Sequence, residues 1–182
     1  MQQQHELTTP SDWVCRFVSL IPAGGDVLDL ACGAGRHARL LSGLGYKVEA
    51  VDREVSQLQG LRDIKGVSIK CADLERGPWP YGGRQFAGII VCNYLHRPLF
   101  PQLLEALDKK GVLIYETFAV GNERFGKPSN PDYLLKPGEL LELARGQMRV
   151  IGYEELFVAQ PRPAQVQRIC ALRDNPKDAH GI

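Results

Sequence analysis

Short apolar runs recur along the chain, separated by polar or glycine-rich segments. The first five of these runs cover residues 27–32, 47–51, 67–71, 86–92 and 112–116. Stretches with helical spacing follow several of them, beginning at Arg36, at Val55 and near Pro101. Strands that alternate with helices and are apolar on both faces are typical of a parallel sheet covered by helices on both sides.

The last part of the chain has a different pattern. Residues 149–157 and 165–172 are strand-like, and the segment 160–164 that joins them contains two prolines and leaves no room for a helix. Two strands connected in this way form an antiparallel hairpin. We therefore predict an α/β fold with a doubly wound, mostly parallel, seven-stranded Rossmann-like sheet that ends in a C-terminal antiparallel β-hairpin.

The length of 182 residues favours one domain over residues 1–182. Ser11 is a candidate cap for a helix within residues 11–22, which we expect to cover part of a site. Residues 117–137 lack a clear period and are far longer than the roughly four to six residues usual for a connection, so we predict a substrate lid there. We expect the tail, residues 175–182, to be frayed.

Charge and hydropathy exclude several classes of partner. The 22 basic and 21 acidic residues give a net charge of +1, and no long basic tract is present, so we expect no nucleic-acid partner. No apolar run approaches the roughly twenty residues that span a bilayer, and residues 1–6 lack the basic start and apolar middle of a signal peptide. We expect a cytoplasmic protein that acts on a small-molecule substrate, away from membranes, as a monomer or homodimer.

The cysteines do not form a recognisable framework. They are odd in number and show no C-x-x-C spacing, so we predict reduced thiols, no disulfides and no metal site; they are Cys15, Cys32, Cys71, Cys92 and Cys170.

The most specific chemistry lies where the first strand ends. Gly33 and Gly35 remove side chains where the backbone must turn sharply and where a ligand can approach it. Together with Ala38 they also satisfy the dinucleotide pattern G-x-G-x-x-A. A carboxylate at Asp29 would repel the pyrophosphate of a dinucleotide but suits a ligand with ammonium and sulfonium charges. The pattern therefore favours S-adenosylmethionine over NAD.

Further polar residues follow in register. Asp52 ends the second strand and lies 52 − 35 = 17 residues after Gly35, near the roughly twenty expected before an acid that binds ribose hydroxyls. Asp73 follows the third strand in the same way. Arg36 opens the helix after the glycine turn, where a cation could contact a cofactor carboxylate, whereas we expect its neighbour His37 to be packed.

The segment 27–35, Val-Leu-Asp-Leu-Ala-Cys-Gly-Ala-Gly, resembles the glycine motif of the class I S-adenosylmethionine-dependent methyltransferases. The Gly-Arg-His helix start, Leu-His-Arg at 95–97 and Leu-Leu-Lys-Pro-Gly-Glu-Leu-Leu at 134–141 are similar to the small tellurite-resistance-type methyltransferases. The resemblance covers nearly the full length and is stronger in the cofactor half. It implies S-adenosyl-L-methionine as cofactor, and tellurite, selenite or thiols as methyl acceptors.

The resemblance also implies roles for individual residues. Asp29 would hold the methionine ammonium, Asp52 the ribose hydroxyls and Asp73 the adenine amino group, while Gly33 and Gly35 would line the backbone passage. The complete predicted cofactor set is Asp29, Ala31, Gly33, Gly35, Arg36, Asp52, Arg53, Ala72, Asp73, Leu74, Cys92 and Asn93.

The residues after the fourth strand occupy the position where this family flanks the transferable methyl group. We predict Tyr94, His96 and Arg97 as candidate catalytic residues; His96 or Tyr94 would act as a base only for an acceptor that arrives protonated. Cations near the predicted lid suit a small anionic or thiol-bearing substrate. The predicted substrate residues are Glu116, Arg124, Phe125 and Lys127.

Two other hypotheses stay open. A methyltransferase fold does not guarantee turnover, so the chain could be a catalytically silent module that binds a partner. The glycine pattern also leaves an NAD-binding oxidoreductase as an alternative. Residues 93–98 do not match the Asp/Asn-Pro-Pro-aromatic sequence of enzymes that methylate planar amino groups of bases, so base methylation is not favoured.

Overall fold

The structure is a computed structural model that describes residues 8–173. The tail predicted to be frayed, residues 175–182, lies outside the described residues. Seven strands are present in the described part, and their bounds are β1 Asp26–Leu30, β2 Lys47–Asp52, β3 Val67–Cys71, β4 Phe86–Cys92, β5 Leu107–Phe118, β6 Arg149–Val158 and β7 Ala164–Leu172.

Five α-helices connect and cover these strands. They are α1 Asp12–Phe17, α2 Arg36–Gly43, α3 Val55–Leu58, α4 Phe100–Ala106 and α5 Glu139–Ala144. Short 3₁₀ turns continue α1 and α3 and precede α4, and two more lie at Asn122–Arg124 and Pro131–Tyr133. The hydroxyl of Ser11 accepts a hydrogen bond from the backbone N–H of Trp13, which is the N-cap expected for α1.

The strands form one sheet in the order β3-β2-β1-β4-β5-β7-β6. Neighbours from β3 to β5 pair in parallel, and β7 lies antiparallel to both β5 and β6. The predicted mostly parallel sheet with an antiparallel C-terminal hairpin is therefore confirmed. Strand order reverses between β1 and β4, and in open α/β sheets the crevice at such a point binds ligands.

Apolar side chains pack on both faces of the sheet. On one face Trp13 and Phe17 of α1 and Leu41 of α2 cover the strands. On the other face Leu103 of α4 and Leu140 of α5 do so. Since successive strand residues point to opposite faces, Asp29 lies on the face that α1 and α2 cover, next to the apolar residues of that layer.

Two elements differ from the sequence prediction. β5 begins at Leu107 rather than at Val112, because Leu107 pairs with Phe86 across an irregular register before the apolar run starts. α5 was not predicted; it starts after Gly138, which has the left-handed conformation, and buries Leu140. Its six residues are too short to show a helical period clearly.

The predicted lid is partly built into the fold. Phe118 belongs to β5 and is buried, and Leu134 and Leu135 near the other end of the segment are buried as well. The backbone N–H of Leu135 donates to the carbonyl of Phe118 at 2.9 Å, so the two ends of the segment lie side by side. Residues 123–127 and 129–133 between them are exposed.

Among residues 8–173, no helix has the length and apolar character that crossing a membrane requires.

We predict that Gly35→Ala destabilises the protein by roughly 1–3 kcal/mol. Gly35 has φ of 78°, and an added Cβ would lie 2.4 Å from Cδ1 of the fully buried Leu61, so backbone strain and overpacking act together. Gly43→Ala at the end of α2 is the matched control, because nothing lies within 4 Å of its Cβ position. Urea unfolding measures both; an unchanged midpoint for Gly35→Ala would contradict the prediction.

Candidate functional site

The carboxyl group of Asp29 lies in the interior at the end of β1. Its side chain is 1% exposed, and its Oδ2 has no hydrogen-bond partner in the described part of the chain. Burial raises the pKa of Asp29 to about 7, although the backbone N–H of Ala38 and the charge of Arg36 act in the opposite direction. A buried, unpartnered carboxyl oxygen is costly for the fold and is available to a cationic ligand.

Glycine occurs at two positions of the turn after β1 for different physical reasons. A Cβ at Gly33 would meet nothing within 4 Å, so the space beside it is open. A Cβ at Gly35 would collide with Leu61, so that position is needed for packing under α2. Ala31, which starts the turn, has φ of 53°, a conformation that is uncommon for residues other than glycine.

Asp52 fastens the turn to the next strand. Its Oδ2 accepts a hydrogen bond from the backbone N–H of Gly33 at 2.8 Å, and its Oδ1 accepts from the N–H of Glu54 at 3.0 Å. An ionised carboxylate has about four acceptor sites, so both oxygens can still accept from a ligand hydroxyl. Asp52 is thus placed beside the open space at Gly33.

Asp73 forms a turn after β3. Its Oδ1 accepts from the backbone N–H groups of Glu75 and Arg76 at 2.9 and 3.1 Å, and these bonds, led by that of Glu75, lower the pKa of Asp73. A turn-forming aspartate needs no ligand to explain it. The contacts therefore give Asp73 a structural role, and its predicted adenine contact stays a prediction.

The remaining predicted cofactor residues lie around the same edge of the sheet. Asn93 has φ of 56°, and its N–H donates to the carbonyl of Glu116. The thiol of Cys92 is buried, which raises its pKa, with a further contribution from Glu116. Arg53 is exposed and pairs with Glu54 at 3.5 Å. Ala72 is half-buried and Leu74 is buried.

The predicted catalytic residues have different surroundings, and their catalytic role stays a prediction. The hydroxyl of Tyr94 is buried without a hydrogen-bond partner among residues 8–173, and burial followed by the charges of Glu75 and Asp73 raises its pKa. Tyr94 therefore faces the region of Asp73. His96 is half-buried and precedes the 3₁₀ turn, where its carbonyl accepts from the N–H of Leu99.

Arg97 fastens the 117–137 segment to the end of β4. Its Nε and Nη2 donate to the two carboxylate oxygens of Glu139 at 2.6 and 2.9 Å. Its Nη1 donates to the carbonyl of Asp132 and its Nη2 to that of Leu134. Such a set of charge-assisted bonds explains Arg97 structurally. The catalytic role of Arg97 stays a prediction beside this structural one.

A pocket of about 240 Å³ opens beside Arg36 and Asn93. Of the four predicted substrate residues only Glu116 lines it, whereas Arg124, Phe125 and Lys127 do not. The complete lining is Thr9, Pro10, Ser11, Asp12, Arg36, Asn93, Glu116, Phe118, Val158, Gln160, Pro161, Arg162, Ala164, Val166 and Arg168. The N-terminal segment and the β6–β7 hairpin form most of its walls, and Phe118 is the one lining residue from the predicted lid.

Phe125 lies instead on the outer surface. Its ring packs against that of Phe157 on β6 with centroids 5.0 Å apart, and both side chains are exposed.

Glu116 is held in the pocket from two sides. Its Oε1 accepts a hydrogen bond from the hydroxyl of Ser11 at 2.9 Å, and Nε of Arg168 lies 2.6 Å from its Oε2. Arg168 also approaches Glu154 at 3.4 Å. Sequence reasoning missed Ser11 and Arg168 as site residues; the signal that could have found Arg168 is that it is the one charged residue in the run 164–172.

The N-terminal segment crosses the start of α2. Nη1 of Arg36 donates to the carbonyl of Thr9 at 3.0 Å, and the N–H of Ser11 donates to Nε2 of His37 at 3.1 Å. Burial, with a smaller contribution from Arg36, lowers the pKa of His37 to about 3, so its imidazole is neutral and can accept. His37 is thus a packed residue that anchors the segment covering the pocket.

No group of three or more His, Cys, Asp or Glu side chains within residues 8–173 is arranged to hold a metal ion.

We predict that Arg97→Met destabilises the protein by about 1–3 kcal/mol, since it leaves Glu139 and two carbonyls without their charged donor. It should also raise amide hydrogen exchange at Tyr133 and Leu134. Arg145→Met is the control, because Arg145 pairs with Glu142 only at the surface and such pairs contribute about 0–1 kcal/mol. Equal effects of the two substitutions in urea unfolding would contradict this role of Arg97.

The chain resembles known proteins in sequence and in fold. The family described as "Tellurite resistance protein TehB" matches residues 1–74. The structure is similar to TehB from Haemophilus influenzae, with a TM-score of 0.75 and 18% identity over 95% of this chain and 65% of that one. This chain thus spans just under two thirds of the Haemophilus protein. No curated protein matches it in sequence.

Two further structures have the same fold. A TehB-like SAM-dependent methyltransferase from Corynebacterium glutamicum has a TM-score of 0.64 and 19% identity, over 89% of this chain and 88% of that one. The glycopeptide N-methyltransferase MtfA, complexed with S-adenosylhomocysteine, has a TM-score of 0.64 and 16% identity, over 95% and 93%.

The chain has the fold of the class I S-adenosylmethionine-dependent methyltransferases and, over residues 1–74, resembles the tellurite-resistance family TehB.

Proposed function

We propose that this chain transfers a methyl group from S-adenosylmethionine to a small anionic or thiol-bearing molecule. The observation that carries the proposal is the buried carboxyl group of Asp29, one oxygen of which has no partner among residues 8–173, together with the open space at Gly33 and the pocket lined by Arg36 and Asn93. A cationic amino acid end can neutralise that carboxyl group, and an acceptor can occupy the pocket.

The chain's residues would hold the cofactor along the carboxyl edge of the sheet. Asp29 would bind the ammonium group, and Asp52, already oriented by Gly33 and Glu54, would accept from the ribose hydroxyls. Arg36 would contact the cofactor carboxylate. The adenine side would be bounded by Arg53, Ala72, Asp73 and Leu74, and the methyl side by Ala31, Gly35, Cys92 and Asn93.

When bound, the cofactor supplies an electrophilic methyl group on a positively charged sulfur. The protein's part is alignment and exclusion of water, which can provide much of the rate enhancement of a bimolecular displacement. The Ser11 segment serves this purpose, because its bonds to His37 and Glu116 hold it over the pocket. His96 and Tyr94 stay as candidate bases for a protonated acceptor, with Tyr94 on the side of Asp73.

We further propose a cytoplasmic protein that acts as a monomer or homodimer without nucleic acid. Its five free cysteines suit a reducing compartment, and its net charge of +1 suits a small-molecule enzyme. The exposed middle of the 117–137 segment is proposed to act as a lid.

Calorimetric titration with S-adenosylmethionine, S-adenosylhomocysteine and NAD tests the cofactor. We expect micromolar binding of the first two and none of NAD. Methyl transfer is then followed by mass spectrometry with selenite, tellurite and small thiols as acceptors. Binding of NAD alone would revive the oxidoreductase, and cofactor binding without transfer to any acceptor would favour the silent binding module.

The pKa of Asp29 gives the cofactor affinity a defined pH dependence. Because the ionised carboxylate binds the ammonium and its pKa is about 7, affinity for S-adenosylhomocysteine should fall by about tenfold from pH 8 to pH 6 as the carboxyl group is protonated. At higher pH, affinity should fall again as the ligand's amino group loses its proton.

Asp29→Asn should weaken binding and remove the fall on the acid side. Asp26→Asn is the matched control at the other end of β1, where Asp26 contacts Arg84 at 3.4 Å near the surface. Asp26→Asn should keep the fall in affinity between pH 8 and pH 6. Calorimetry from pH 5.5 to 8.5 measures both variants. If affinity for S-adenosylhomocysteine still falls towards low pH in Asp29→Asn, Asp29 does not bind the ammonium group.

A further inference from the structure

The 240 Å³ pocket has two chemically different sides. One side is apolar, made by Phe118 at the end of β5, by Ala164 and Val166 of β7 and by Val158 of β6. Phe118, Ala164 and Val166 are at most 7% exposed, so this wall is part of a small core cluster and is fixed in place. Binding against an apolar wall of this kind is favourable when apolar atoms of the ligand cover it, because both apolar surfaces then leave water.

The other side carries more positive than negative charge, because three arginines and two carboxylates, those of Asp12 and Glu116, line the pocket. Arg36, assigned above to the cofactor carboxylate, belongs to α2, and Arg162 belongs to the β6–β7 turn. Neither forms an ion pair with a carboxylate in the described part of the chain, whereas the third arginine of the pocket, Arg168, is paired with Glu116. The guanidinium carbon of Arg162 lies 5.2 Å from the centre of the Phe118 ring, so charge and apolar wall adjoin each other.

We propose that the methyl acceptor is a small organic anion, with an apolar body against Phe118 and Val166 and its anionic group beside Arg162, rather than a bare inorganic oxyanion. This inference rests on the function proposed above and specifies its substrate class. The volume is below the roughly 300–1,000 Å³ of pockets for drug-sized ligands, so the acceptor is smaller than these.

The apolar wall decides against the inorganic oxyanion. Such an ion carries hydrated oxygen atoms on every side, and each one turned towards Phe118, Val158 or Val166 would lose water without gaining a donor. An organic anion avoids this loss, because its apolar body covers the wall while its anionic end meets Arg162. It also gains the free energy of burying its own apolar surface.

The transfer itself is balanced without a further reactant. A lone pair of the acceptor's nucleophilic atom forms the bond to the methyl carbon, and the electron pair of the breaking sulfur–methyl bond returns to sulfur, which becomes a neutral thioether. A thiol acceptor gives its proton to solvent before or during the step. The products are the methylated acceptor and S-adenosylhomocysteine.

Four kinds of probe test separately whether the apolar body and the anionic group of the acceptor are recognised. The mercaptobenzoates, tested as the 2-, 3- and 4-isomers, have both; thiophenol lacks the anion, mercaptoacetate lacks the apolar body, and tellurite is the inorganic oxyanion. Formation of S-adenosylhomocysteine from S-adenosylmethionine is measured for each. We expect kcat/KM for the best mercaptobenzoate to exceed those of the other three probes by at least about tenfold.

Two substitutions test the charged side and the apolar side of the pocket separately. Arg162→Gln should lower kcat/KM for the best mercaptobenzoate about tenfold and leave thiophenol nearly unchanged. Val166→Thr, which keeps the size of the side chain, should lower mercaptobenzoate turnover several-fold and leave mercaptoacetate unchanged. Arg145→Gln, directly after α5, is the matched control, because the side chain of Arg145 contacts Glu142 at the surface, and it should change none of these values.

Binding is measured in parallel by titrating benzoate and tellurite into the protein saturated with S-adenosylhomocysteine. Tighter binding of benzoate, lost in Arg162→Gln, supports the inference. It is overturned if tellurite or mercaptoacetate is used as well as the mercaptobenzoates, if Arg124→Gln rather than Arg162→Gln removes the preference for the anion, or if benzoate does not bind. Failure of S-adenosylhomocysteine itself to bind contradicts the proposed function instead.

Discussion

Parallel pairing of β1 with β2 and β4 is the constraint on which the site depends. Parallel strands end at the same edge of a sheet, so residues far apart in the sequence are placed side by side there. Asp29, Asp52 and Cys92 meet at this edge, and β5 adds Glu116 through its register with Cys92. The helices contribute to this arrangement mainly by covering both faces of the sheet.

The burial of Asp29 has an energetic cost that the rest of the turn does not offset. Its pKa is raised because the folded protein disfavours the charged form, and one of its oxygens has no partner within residues 8–173. Asp52, in contrast, is satisfied by the backbone N–H groups of Gly33 and Glu54. The two aspartates thus differ in kind: one stabilises the turn, and the other is poised for a positive ligand.

The acceptor side is organised by contacts between distant segments. Ser11 reaches Glu116 across 105 residues of sequence, and Arg168 reaches the same carboxylate from β7. Arg97, a predicted catalytic residue, binds Glu139 and two carbonyls of the 117–137 segment. A cation after a strand can serve a ligand or a loop equally well, and the sequence carries no information on which partner lies within 3 Å.

The sequence by itself determined the succession of strands along the chain, the first four helices, the glycine turn and the acidic residues at the ends of β1, β2 and β3, because each depends on local spacing and period. It also predicted the antiparallel hairpin, from a connection too short for a helix. Tertiary structure decided three other features. β5 starts at Leu107, before the apolar run, in a polar stretch, and the helix α5 is too short to show a period. The walls of the pocket come from segments that only the folded sheet brings together. Glu116 was found from its place at a strand end, whereas Ser11, Arg162 and Arg168 become neighbours of the pocket only when the N-terminal segment and the hairpin pack against β5.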